Sequence, residues 1–75
     1  MFANKIFCER LRSLRQTNNL TLERVGKDFE VSKQTVSRWE TGDRLPALDI
    51  AVALADYFDV SLDYLVGRSD DPIRN

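Results

Sequence analysis

Apolar side chains along this chain recur three and four positions apart, the spacing of one face of a helix, and no stretch alternates as a strand would. Phe7, Leu11 and Leu14 stand at i, i+4 and i+7 with Arg10, Arg12 and Ser13 between them, which predicts a helix from about Lys5 to Thr17. Asn18-Asn19 ends it, since asparagine tolerates the left-handed backbone of a helix stop. Thr21 is a natural N-cap, Glu23 suits the first turn, and Leu22, Val25, Gly26 and Phe29 make the buried stripe of a short second helix. Glu30-Val31-Ser32 is a three-residue turn ending in another cap, and a third helix runs from Lys33 to about Glu40. Gly42 lies where the residue just past a helix end is expected, and Pro46 forbids continuation. A fourth helix spans about Leu48 to Phe58; Ser61 caps a short fifth that runs through Val66, and Gly67 stops it. Residues 68–75 are polar, contain Pro72, and read as a frayed tail after a domain at 5–67. The fold class is all-α, a compact arrangement of five helices.

Seventy-five residues leave room for one core, and 43% apolar with 31% charged side chains is an ordinary globular balance. The longest apolar run, Ile50 to Ala55, falls far short of the roughly 20 residues of a bilayer span. No export signal opens the chain, so the expected location is cytoplasmic. One cysteine, Cys8, makes no internal disulfide and is expected to be inert. The lack of histidine removes His-based triads and His–zinc chemistry, and no nucleophile–base pair stands out, so no enzyme, metal or cofactor is expected.

Divided along the chain, a net charge of −1 becomes informative. Residues 1–44 carry nine basic and six acidic side chains, +3, whereas residues 45–75 carry two basic and six acidic ones, −4. One end suits a polyanion and the other does not. The third helix falls in the basic part and has only Val36 and Trp39 as apolar anchors. Lys33, Gln34, Thr35, Ser37 and Arg38 are left for its surface. Gln34 and Arg38 share a strip at i, i+4, and these side-chain types match major-groove edges: glutamine pairs with adenine, arginine with guanine.

The segments Arg10-Leu-Arg-Ser-Leu-Arg15, Val31-Ser-Lys-Gln-Thr-Val-Ser-Arg-Trp-Glu40, Gly42, Pro46, Leu54-Ala-Asp-Tyr-Phe58 and Val60-Ser-Leu-Asp-Tyr-Leu-Val-Gly67 together resemble Cro/CI-type helix-turn-helix proteins, the lambda-repressor-like or XRE family. The resemblance covers about residues 5–67. It implies a lambda-repressor-like DNA-binding domain with Lys33, Gln34 and Arg38 as base readers. Thr21, Ser32, Thr35, Ser37, Thr41 and Arg44 fall at backbone or auxiliary contacts. It also implies a salt bridge between Arg15 and Glu40. Three positions depart from the family pattern. Leu22 stands where a phosphate-holding glutamine is usual, Glu30 where the turn often has glycine, and Ala47 where a polar cap often precedes the fourth helix.

The fourth helix is apolar nearly all round. Leu48, Ala51, Leu54, Ala55 and Phe58 form a stripe for the core. Ile50, Ala53 and Tyr57 form a second, and with Tyr64 they predict a homodimer surface, unless helices one and five cover them. A two-fold pair reads half-sites about 34 Å apart, doubling the contacts of one helix. The expected function is therefore a sequence-specific transcriptional regulator, a dimeric repressor reading a palindromic operator on double-stranded DNA, with no membrane or small-molecule partner. The alternative is a protein-interaction module, such as an antitoxin, that uses the fold to hold another protein.

Overall fold

The computed structural model describes residues 4–73 and builds them from five helices, with no strand among those residues. These are α1 (Asn4–Thr17), α2 (Leu22–Asp28), α3 (Lys33–Thr41), α4 (Leu48–Tyr57) and α5 (Leu62–Leu65). Helix α2 packs on α3, α1 on α3 and α5, and α4 on α5, within 29 × 23 × 21 Å. Phe7, Leu11, Val25, Val36, Leu54 and Leu65 are the fully buried side chains where these elements meet.

The corners share one construction. Each helix is followed by a single left-handed position: Asn19 (φ 57°), Glu30 (58°), Gly42 (85°), Asp59 (55°) and Gly67 (87°). After α1, α2 and α4, the next residue is apolar and its N–H reaches back to the last turn. Leu20 donates to Arg15 O at 3.0 Å, Val31 to Gly26 O at 2.8 Å, and Val60 to Ala55 O at 3.0 Å. A capping hydroxyl then starts the next helix. Thr21 Oγ1 accepts from Arg24 N, Ser32 Oγ from Thr35 N, and Ser61 Oγ from Tyr64 N, each at 3.0–3.1 Å. The sequence repeats Asn-Leu-Thr, Glu-Val-Ser and Asp-Val-Ser at these corners because each joint has the same demands: a reversal, an apolar plug and a cap.

Two expectations need correction. Leu48 does not join the core stripe; it opens α4, one turn short of the packed interior, and is 76% exposed. Its N-cap, Ala47, makes no side-chain cap bond, and Asp49 Oδ1 accepts the Ile50 N–H at 2.9 Å. Nor do the residues after Gly67 fray as far as they are described. Arg10 of α1 donates to Tyr64 O, to Ser69 O at 2.7 Å and to Asp70 at 2.8 Å, with its guanidinium stacked 4.1 Å from the Tyr64 ring centre. Ser61 N donates to Pro72 O at 3.0 Å. Residues 74 and 75 of the predicted tail lie outside the described residues.

Candidate nucleic-acid interface

The α2–turn–α3 unit depends on a close approach. A Cβ on Gly26 would stand 2.7 Å from Val31 O and 3.3 Å from Lys33 N, so α2 and the start of α3 touch backbone to backbone there. Glycine is the residue that fits.

From its cap at Ser32, α3 buries Val36 and Trp39 together with the Glu40 side chain. Lys33, Gln34 and Arg38 are exposed; Thr35 and Ser37 are half-buried at the margin. Gln34 and Arg38 are one turn apart, about 6 Å along the axis. The Thr35 hydroxyl is 3.0 Å from Ser32 Oγ, which couples it to the cap. At the far end the Arg38 carbonyl gathers the N–H groups of Gly42 (3.0 Å) and Arg44 (3.3 Å) and the Thr41 hydroxyl (3.2 Å). The exposed Arg44 side chain thus leaves from a tightly wound loop.

The attitude of α3 is set by a three-way joint. Arg15 Nε donates to Glu40 Oε2 at 2.6 Å and Nη2 to Oε1 at 3.1 Å, while Nη1 donates to Leu20 O at 2.8 Å. With the two side chains only 14% and 7% exposed, one guanidinium ties α1, the α1–α2 corner and the last turn of α3. The bidentate geometry constrains direction as well as distance.

On α2, Thr21 is exposed and its hydroxyl lone pair takes the Arg24 N–H. Arg24 is held along its own helix by Asp28 at 3.1 Å. Asp28 also accepts from Tyr57 Oη at 2.6 Å, joining α2 to α4, and the Tyr57 ring meets Phe29 and Phe58 edge-on at 5.1 and 5.0 Å. The Tyr57 hydroxyl and then the Arg24 guanidinium hold the Asp28 carboxyl below its ordinary range. Burial, and then the bond to Asp28, push the Tyr57 hydroxyl above its ordinary value.

Of the four positions expected at a dimer surface, Ile50 is half-buried and packs on the core, and Ala53 is half-buried. Tyr57 keeps contacts within the chain, and Tyr64 lies under Arg10. The exposed large apolar side chains of this region are Leu48, Leu45, Val52 and Tyr57 itself. Burial pushes the Cys8 thiol up, away from the reactive thiolate. The Arg10 clamp and the Gly26 contact escaped the sequence reading. Arg10 finds its partners more than 50 residues away, so no local pattern marks it.

No helix among the described residues is long and apolar enough to cross a membrane. The helix-turn-helix family profile matches residues 11–65. Over 67 residues the chain is 39% identical to an uncharacterized HTH-type transcriptional regulator, YobD, of Bacillus subtilis, covering 89% of this chain and 60% of that one. It is 33% identical over 64 residues to the HTH-type transcriptional activator BcrR of Enterococcus faecalis, covering 85% and 31%. It is 32% identical over 60 residues to the cryptic phage CTXphi transcriptional repressor RstR of Vibrio cholerae, covering 80% and 54%. The chain therefore spans between about a third and three fifths of these relatives. No solved structure matches significantly.

Proposed function

The chain belongs to the helix-turn-helix family, and from that premise we propose that it is a sequence-specific DNA-binding transcriptional regulator, acting in the cytoplasm as a dimeric repressor on a palindromic operator. The observation that carries this reading is the two-sidedness of α3. One face is locked by Val36, Trp39 and the Arg15–Glu40 joint, and the other presents Lys33, Gln34 and Arg38 to solvent.

A rigid helix with that face fits the major groove. Gln34 pairs with an adenine edge, Arg38 with guanine O6 and N7, and Lys33 reaches an acceptor-rich step beside them. The Thr21 hydroxyl, whose lone pair serves the α2 cap, donates its proton to a phosphate oxygen. Ser32, Thr35, Ser37, Thr41 and Arg44 border the same groove as backbone or auxiliary contacts. These contacts fix register, and the three readers supply sequence preference. A second copy reads the other half-site. Occupying a promoter is itself the repressing act, so the function is binding rather than catalysis. The acidic residues 45–75 limit attraction to DNA at large.

Titration against a randomised duplex pool, followed by sequencing of the bound fraction, tests this. A two-fold motif is expected, with log K falling linearly as log[salt] rises because phosphate contacts release counterions. Equal affinity for every duplex, or none for any, refutes it.

A further inference from the structure

One exposed strip of α4 reads acid, apolar, acid. Asp49, Val52 and Asp56 stand at i, i+3 and i+7, about 10 Å from end to end, and Val52 is 42% exposed. The strip borders a notch of about 360 Å³ where α4 meets α5. Buried Val60 and half-buried Leu62 line it beside Val52, and Asp56 and Asp63 give it charge. Among the described residues no lysine or arginine lines it. Ser61 lines it too. The Ser61 N–H donates to Pro72 O at 3.0 Å and its hydroxyl to Asp71 O at 3.2 Å, which brings Asp71 alongside.

We infer that this notch docks a basic amphipathic helix of another protein, with lysine or arginine one turn to either side of an apolar residue that covers Val52. Charge decides the occupant. A second copy set two-fold on this face opposes carboxylate to carboxylate, and a duplex brings phosphates to the same carboxylates. A divalent cation needs several acids converging on one point, and no three His, Cys, Asp or Glu side chains among the described residues are so placed. A basic helix meets every feature of the surface. Its apolar residue covers Val52, Val60 and Leu62, and the aliphatic stems of its lysines pack beside them. Its cationic heads reach Asp49, Asp56 and Asp63. Residues 45–75, with a charge of −4, steer such a partner inward. No residue lining the notch belongs to α2 or α3, so the inference goes beyond the DNA reading and does not depend on it.

The probe is a fluorescein-labelled helical peptide of alanine, lysine and leucine, with lysines one turn to either side of a central leucine. Its control carries glutamate in place of lysine. Anisotropy titrations against the whole chain, with DNA absent, should show saturable one-to-one binding of the lysine peptide below about 1 mM and none of the glutamate peptide. Amide NMR shifts should be largest at Val52, Asp56, Ser61 and Asp63. Val52→Ser should weaken binding about tenfold, because a covered valine is lost from the contact. Asp63→Asn should weaken it about threefold and reduce its salt dependence. Leu48→Ser, outside the notch, should change nothing. Val52 and Asp63 are both exposed, so either variant provides a reading should the other lose helicity. Binding of the glutamate peptide equal to that of the lysine peptide overturns the proposal, as does no binding at about 1 mM. So do shifts centred on α3 or on Leu45 and Leu48, or affinity unchanged in both Val52→Ser and Asp63→Asn.

Discussion

Glu30 stands at φ 58°, where its Cβ crowds the neighbouring carbonyl, and replacing it with glycine should stabilise the protein. Left-handed backbone costs an L-residue about 1–2 kcal/mol, and glycine is free of that cost. Against this, glycine gives the unfolded chain additional freedom worth roughly 0.5–1 kcal/mol. A third contribution comes from charge: the carboxylate follows the negative end of α2, and its removal adds a few tenths of a kcal/mol. The exposed Glu30 side chain makes no hydrogen bond or ion pair with the described residues, so little is lost in exchange. The net gain is about 1 kcal/mol. For a chain of 75 residues the entropy of unfolding near the midpoint is about 0.16 kcal/mol per degree, so the midpoint should rise by about 6 °C. Thermal unfolding followed by circular dichroism at 222 nm measures it. Glu30→Ala is the necessary companion because it removes the charge and keeps the Cβ; its midpoint should move by only a degree or two. Asn19→Gly should gain less than Glu30→Gly, as asparagine already tolerates this backbone. If Glu30→Gly is no more stable than Glu30→Ala, backbone strain at this corner is not the cause and the reasoning is wrong.

Other perturbations address different joints. Arg38→Ala or Gln34→Ala should each cost about 1–3 kcal/mol on the selected operator and relax preference at one base pair; unchanged selectivity in both would remove them from the groove. Gly26→Ala forces a methyl against Val31 O and should cost about 1–3 kcal/mol in urea unfolding, so a wild-type midpoint would contradict the close approach. For Asp28 the folded pKa is depressed, so its bond contributes stability above about pH 4 that is lost as pH falls through the folded value. For Tyr57 the folded pKa is raised, so its contribution is present below about pH 10 and lost as pH rises through the folded value. Tyr57→Phe should therefore lower the urea midpoint near neutrality and flatten both limbs of its pH profile; a profile parallel to wild type would show that the bond contributes nothing.

Much of the fold is written in local chemistry. The 3.6-residue spacing of Phe7, Leu11 and Leu14 marks α1, and Thr21, Ser32 and Ser61 mark where three helices begin, because a cap acts within four residues of itself. The pairing of Val36 with Trp39 against a polar remainder likewise marks α3 as a helix with an outward face. The features that escaped depend on residues distant in the chain. Arg10 looks like any solvated base on a helix until Tyr64, Ser69 and Asp70 come round to it. Leu48 has the period of the core stripe, yet the core ends before it, and periodicity carries no information on where a neighbouring helix stops. Gly26 fitted the stripe as a small residue, but the reason for its size is the Val31 carbonyl across the turn.

The joint at Arg15 separates posture from vocabulary. Glu40 and Leu20 hold the helix from behind, and Lys33, Gln34 and Arg38 carry none of that restraint. Under the proposed function, exchanging those three side chains would change the message that is read and leave the instrument as rigid as before, so descendants of this chain could acquire new addresses without first relearning how to fold.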